Sequence, residues 1–266
     1  MSAQGGQAEE LTAAQRARYS RQLILPEVGP AGQAALGRAK VVVAGAGGLG
    51  SSCAIYLAAA GVGAIGLVDS DTVELTNLQR QILHTTEAIG QAKVESAERR
   101  LKALNPEIEI RKRAERLTSA NAVEILAPYD VVVDATDNFS SRYLINDACV
   151  ALRKPWVYGA VGRFEGQCAT FAAGGGPCYR CLYPDPPAPQ EVPSSAESGV
   201  LGALPGVIGC IQATECLKLI LGQGQPLIGR LLLYDALAMR FRELRLQRDP
   251  RCPACGDRPR LKERMG

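Results

Sequence analysis

Only one histidine and one tryptophan occur in 266 residues, aromatic side chains make up 5% of the chain, and the charges nearly cancel at +3. Each shortage excludes something. With so small a charge and no strongly basic stripe, nucleic acid is not the expected main partner, and the Arg/Lys-rich stretch Arg111 to Arg116 reads as a solvated edge. No apolar run is expected to be long enough to span a bilayer. Residues 1–10 are small and polar and lack the apolar core of a secretion signal, so they read as a frayed tail on a cytoplasmic protein. His84, the lone imidazole, reads as a structural or surface residue rather than a catalytic one.

What the chain does have is an apolar half (47%), 28 glycines and nine cysteines. Its length suits one α/β domain with an appendage, or two small domains. Val41-Val42-Val43-Ala44 leads into Gly45-Ala46-Gly47-Gly48-Leu49-Gly50-Ser51, a buried strand turning through a GxGxxG loop into a helix. Gly45 permits the tight turn, Gly47 and Gly48 leave bare backbone for a phosphate, and Gly50 allows close helix–strand packing. The helix N-terminus offers free N–H groups and partial positive charge to an anion. A second apolar run, Ala64 to Val68, ends in Asp69, where the motif's ribose-binding acid belongs. These features alone leave NAD(P), FAD and ATP open as ligands.

Strands are predicted at 40–44, 64–68, 107–112, 130–134 and 155–161, alternating with helices at 49–60, 89–104, 118–126 and 138–151. Helical segments broken at Pro26 and Gly29-Pro30 precede them over 11–38. This alternation predicts a doubly wound, mostly parallel, Rossmann-like sheet over 11–163. From Phe164 the character changes: a strand at 165–172, a proline-rich crossover loop over 183–203, an apolar helix at 206–221, and antiparallel strands at 230–235 and 240–247. Residues 164–266 therefore read as the C-terminal part of the same compact unit.

Four cysteines pair as Cys178-Tyr-Arg-Cys181 and Cys252-Pro-Ala-Cys255. Two such knuckles build a tetrahedral thiolate site for Zn²⁺, here clipping the chain's end onto its middle. A redox CxxC is disfavoured because neither pair is expected to open a helix after a strand. Four sulfur ligands leave no open position for catalysis. Cys53, Cys149, Cys168, Cys210 and Cys216 lie in apolar patterns and read as core residues.

Past Asp69 the chain gathers Asn77, Arg80 and Gln81, then Lys93 in a helix, and later Asp134-Ala-Thr136-Asp137-Asn138 after a strand. A dehydrogenase has no need of such a cluster, whereas an enzyme handling a triphosphate does. Arg and Lys neutralise a departing pyrophosphate, and an Asp at a strand end can hold Mg²⁺.

These motifs resemble those of the ThiF/MoeB/HesA adenylyltransferases, bacterial relatives of the ubiquitin-activating enzymes. The resemblance runs from Tyr19-Ser-Arg21-Gln22 to Cys255 through GAGGLGS at 45–51, DxDxVExxNLQRQ at 69–81, Lys93, TDN at 136–138, both knuckles and GVLGALPGVIG at 199–209. It implies that MgATP adenylates the C-terminal Gly-Gly carboxylate of a small ubiquitin-like sulfur carrier, with release of pyrophosphate. It implies the phosphate loop at Gly45, Gly47, Gly48 and Gly50, the ribose contact at Asp69, phosphate contacts at Asn77, Arg80, Gln81 and Lys93, and Mg²⁺ at Asp137. It further implies that Arg21 reaches the ATP site of a second subunit in a homodimer, and that a sulfurtransferase or cysteine desulfurase supplies sulfur.

One position departs from the pattern. Ser195 stands where many relatives carry a cysteine in the crossover loop, and a hydroxyl cannot form a persulfide or acyl disulfide. The expected activity therefore ends at adenylation, unless Ser195 replaces a native cysteine. The chain stops soon after the second knuckle, so no appended rhodanese-like domain is expected. The rival readings are a non-catalytic scaffold subunit, opposed by Arg80, Lys93 and Asp137, and a NAD-dependent dehydrogenase, which would lack an evident hydride-handling acid/base. The carrier's pathway stays open among molybdopterin, thiamine, thiolated tRNA and cysteine synthesis.

Overall fold

The protein is described from a computed structural model covering residues 11–172, 174, 176–187 and 199–259. Helices α1 (Ala13–Arg18), α2 (Ser20–Leu23) and α3 (Gly29–Arg38) lead into β1 (Lys40–Ala44). There follow α4 (Gly48–Ala60), β2 (Ala64–Val68), α5 (Lys93–Leu104), β3 (Glu109–Arg113), α6 (Ala122–Leu126), β4 (Val131–Asp134), α7 (Phe139–Leu152) and β5 (Trp156–Gly162). The C-terminal part adds β6 (Glu165–Phe171), α8 (Tyr179–Leu182), α9 (Leu204–Leu221), β7 (Arg230–Asp235) and β8 (Arg240–Arg245).

All eight strands form one sheet in the order β3-β2-β1-β4-β5-β6-β7-β8. The pairings from β3 to β5 are parallel, with Val43 opposite both Leu67 and Val133. The pairings from β5 to β8 are antiparallel, beginning at the hairpin that sets Gly162 against Glu165. The mostly parallel sheet with antiparallel C-terminal strands is thus as expected, and it runs unbroken across residue 163.

The apolar strands explain the layering. β2 and β4 are buried along their whole length and β1 beyond Lys40, so each feeds both faces of the sheet. Val41 and Val43 join Leu57, Ile65 and Ile208 in one core, while Val42 joins Leu126, Ile145, Trp156 and Tyr158 in the other. Removing a side chain such as Leu57 from water contributes about 1.5–3 kcal/mol. α4 and α9 pack together on the first face, and Gly209 is required there: a Cβ would lie 2.1 Å from Ser52 Oγ.

Several boundaries differ from expectation for local reasons. Pro30 starts α3 instead of interrupting it, since proline's fixed φ and missing N–H suit a helix's first turn. α5 begins at Lys93 rather than 89: Gly90 has φ +84°, and its N–H donates to Val73 O, drawing this segment toward residues 72–73. Residues 118–121 form a turn in which Asn121 Oδ1 accepts from the Thr118 N–H at 2.7 Å, leaving α6 only five residues long. α9 is, among the described residues, a helix long and apolar enough by composition to cross a bilayer. Gln212 and Glu215 interrupt its apolar sequence, and both are buried against the sheet, Gln212 donating to Asp134 O at 2.7 Å.

A candidate nucleotide cleft and a four-cysteine cluster

A cleft of about 500 Å³ opens at the carboxyl ends of β1, β2 and β4, where open α/β sheets bind ligands. Gly45 turns the chain out of β1 at φ +99°, and a Cβ there would lie 2.6 Å from Ala135 O. Gly50 permits the return, because a Cβ would meet Gly45 O at 2.0 Å. Gly47 and Gly48 border the cleft between them, and no side chain caps the N-terminus of α4. A helix end of this kind suits an anion.

Asp69 holds the loop from the β2 side. Its Oδ2 accepts from the Ala46 N–H at 2.7 Å and its Oδ1 from the Asp71 N–H at 2.8 Å. Each carboxylate oxygen has room for a further donor, as ribose hydroxyls would require. Lys93, 6% exposed at the start of α5, places its ammonium 2.9 Å from Asp71 Oδ2. Arg80 donates to Thr76 O at 3.1 Å from one guanidinium nitrogen. Buried Gln81 leaves its Oε1 without a partner, and its Nε2 is the atom nearest the open side of Gly47.

At the end of β4, Asp137 is exposed on the cleft wall, while Asn138 caps α7 by accepting from the Ser141 N–H at 2.9 Å. Asp134 beneath is fully buried, and burial pushes its carboxyl up to about 6 against the opposing pull of Arg142 and Thr136. Asp134 Oδ1 accepts from Thr136 Oγ1 at 2.6 Å, whereas Oδ2 and the Arg142 Nε lack protein partners.

The structure thus gathers Gly45, Gly47, Gly48, Asp69, Arg80, Gln81, Lys93 and Asp137 around one space. Three other expected site residues lie outside the lining. Gly50 supports the turn, Asn77 Oδ1 accepts from the Glu74 N–H at 3.2 Å within the turn preceding Arg80, and Arg21 is exposed on α2. Arg116 borders the cleft although its stretch reads as a solvated edge, because β3 runs parallel to β2 and delivers its following residues to the same end. Buried Asp134 and Arg142 carry no local sequence signal, because β4 and α7 must fold before the Arg142 charge can act on the Asp134 carboxyl. Ser195 lies outside the described residues.

Across the molecule, Cys178, Cys181, Cys252 and Cys255 bring all four sulfurs within 4.8 Å of one another. Cys178 and Cys252 are 3.5 Å apart, and Cys181 and Cys255 3.4 Å. Tetrahedral ligands at the Zn–S distance of about 2.3 Å would stand about 3.8 Å apart, so this donor set fits the ion. Contrary to the expectation that neither knuckle opens a helix after a strand, Cys178 stands at the N-terminus of the short helix α8 that follows β6. Convergence of both knuckles is the stronger ground for metal. Of the remaining cysteines, Cys53, Cys149, Cys168 and Cys216 are buried as expected, whereas Cys210 is half-buried beside Tyr56 and Gln22.

The sequence model of the ThiF family matches residues 19–254. The chain belongs to the ThiF family. Among its ThiF-type relatives, the sulfur carrier protein adenylyltransferase of Thermus thermophilus is 57% identical over 251 residues, covering 92% of this chain and 93% of that one. The SAMP-activating enzyme E1 of Haloferax volcanii is 50% identical, covering 93% and 91%. The adenylyltransferase and sulfurtransferase MOCS3 of Anopheles gambiae is 54% identical over 92% of this chain, which spans 56% of that longer protein. Escherichia coli MccB solved with ATP superimposes with a TM-score of 0.77 at 26% identity, covering 90% of this chain and 74% of that one.

Proposed function

We propose that this ThiF-family chain is an adenylyltransferase that uses MgATP to activate the C-terminal Gly-Gly carboxylate of a small ubiquitin-like sulfur carrier. The observation that carries the reading is the gathering of the glycine loop, Asp69, Arg80, Lys93 and Asp137 around one cleft. The names of the Thermus and Haloferax relatives support adenylation and carrier activation. The partnerless Gln81 Oε1 and the side-chain-free approach at Gly47 fit a nucleotide that brings donors and needs backbone access.

The chemistry suits these residues. A carrier carboxylate oxygen attacks the α-phosphorus of ATP, the bond from that phosphorus to the bridging oxygen breaks, and pyrophosphate leaves with the electron pair. The nucleophile is already ionised, so no general base is required. Bringing two anions together demands positioning and neutralisation, which Arg80 and Lys93 supply once Lys93 exchanges Asp71 for phosphate. Asp137 would hold Mg²⁺, whose role is to offset phosphate charge. The four cysteines would hold a structural Zn²⁺.

Arg21, exposed on α2 and outside the cleft lining, would complete the site of a second subunit in a homodimer. With serine instead of cysteine at position 195, sulfur would come from a sulfurtransferase or cysteine desulfurase. Carrier-dependent exchange of labelled pyrophosphate into ATP tests the proposal. Exchange should require MgATP and a Gly-Gly-ended carrier, and its absence with every such carrier would reject the activity.

A further inference from the structure

The lone histidine lies beneath the cleft and is 6% exposed. Its Nε2 is 2.9 Å from Ala46 O, the carbonyl at the centre of the glycine loop. Its Nδ1 is 3.0 Å from Ser96 Oγ, one turn along α5 from Lys93. A carbonyl can only accept, so Nε2 carries the hydrogen; in a neutral ring Nδ1 then accepts from the Ser96 hydroxyl. Burial lowers the ring's pKa, the Ala46 contact opposes that, Lys93 adds to the lowering and Asp69 resists it, the net shift being downward.

Three segments meet at this ring. Ala46 is held at both polar atoms, its N–H by Asp69 and its C=O by His84. The His84 backbone N–H donates to Gln81 O at 3.0 Å, so the ring is carried on the turn that bears Arg80 and Gln81. Ser96 ties it to the helix that bears Lys93. We propose that His84 is a positioning residue that fixes the glycine loop relative to Arg80 and Lys93, so that the cleft is shaped for a nucleotide triphosphate before one binds. This rests on the ATP-cleft reading and extends it to a residue that touches no substrate.

Because the chain has one histidine, a long-range ¹H–¹⁵N spectrum of the full-length labelled protein contains one imidazole. At pH 7 the ring should be neutral with its proton on Nε2. His84→Phe should weaken MgATP binding about tenfold, the equivalent of one lost buried hydrogen bond, while affinity for the carrier stays within about twofold. His84→Gln should recover part of the loss, since its amide can donate to Ala46 O. Ser96→Ala should weaken MgATP binding less than His84→Phe and gives a second test if that variant folds poorly. An Nδ1–H tautomer, an imidazolium at pH 7, or ATP and carrier affinities falling in proportion would overturn the inference. A wild-type protein that binds no MgATP would overturn the ATP reading and this inference together; bound ATP with an unaffected His84→Phe would overturn this inference alone.

Discussion

The cleft collects its side chains from the ends of separate strands, whereas the four-cysteine cluster collects its sulfurs from two short knuckles that lie 74 residues apart in sequence. In the cleft, sheet register sets the geometry: β1 lies between β2 and β4, so Gly45, Asp69 and Asp134 arrive at one edge. In the cluster, a three-residue step fixes each pair, and a chain closure brings the pairs together. A charge lost from the cleft should therefore damage chemistry and spare the fold. A sulfur lost from the cluster should do the reverse.

The sharpest break of that contrast would come from Lys93→Ala and Asp137→Ala. Each should lower carrier-dependent pyrophosphate exchange about a hundredfold to a thousandfold, the usual cost of one electrostatic stabiliser. Asp137 is exposed, so thermal unfolding of its variant should match wild type. Retained exchange in Asp137→Ala would overturn its proposed role as a magnesium ligand, and a large loss of Tm would erase the contrast between the regions.

Arg21 tests whether the cleft is complete within one chain. Mixing Arg21→Ala with Lys93→Ala, each inactive alone, should restore up to about a quarter of wild-type exchange, because half of randomly paired dimers carry one intact site out of two. No recovery after demonstrated subunit exchange would assign Arg21 to its own chain's fold or surface.

For the cluster, metal analysis should find about one Zn²⁺ per chain. Cys255→Ser should loosen the closure; a cost of about 3 kcal/mol would lower Tm by about 6–12 °C. ATP affinity should change little, since none of the four cysteines lines the cleft. A metal-free protein of unchanged stability would overturn the zinc reading.

Both regions were legible in sequence wherever a residue type is dictated by local geometry. Gly45 and Gly50 could be named because a Cβ at either would strike backbone, and the cysteine pairs because thiolates at that spacing can share an ion. Side chains whose work is done across the fold were harder to read. Asn77 belongs to the expected motif, yet its described contact orders the turn before Arg80. His84 joins α5 to the glycine loop only after β2 and its following turns bring them together. Cys210 follows the apolar pattern of α9 but falls on a half-buried side of it, because the helix is apolar nearly all round and gives no face away.

The smallest effect concerns two carboxyls at the end of β4, Asp137 exposed on the cleft wall and Asp134 buried beneath it. Burial raises the Asp134 pKa from 3.8 to about 6, with Arg142 and Thr136 only partly offsetting it. Between those values the native carboxyl keeps a proton that the unfolded chain has lost. Unfolding then releases a proton, so stability falls as pH rises through this window and levels off above about 6. Asp134→Asn has no such proton to release and can still accept from Thr136 through its amide oxygen. The stability of wild type relative to this variant should therefore drift downward by on the order of 1–2 kcal/mol from about pH 4 to pH 6 and stay level thereafter. Urea unfolding across that range, without ATP or magnesium, measures the drift. Parallel curves would mean that native Asp134 is ionised across the whole range, so that a fixed negative charge instead of a titrating carboxyl lies beneath the cleft.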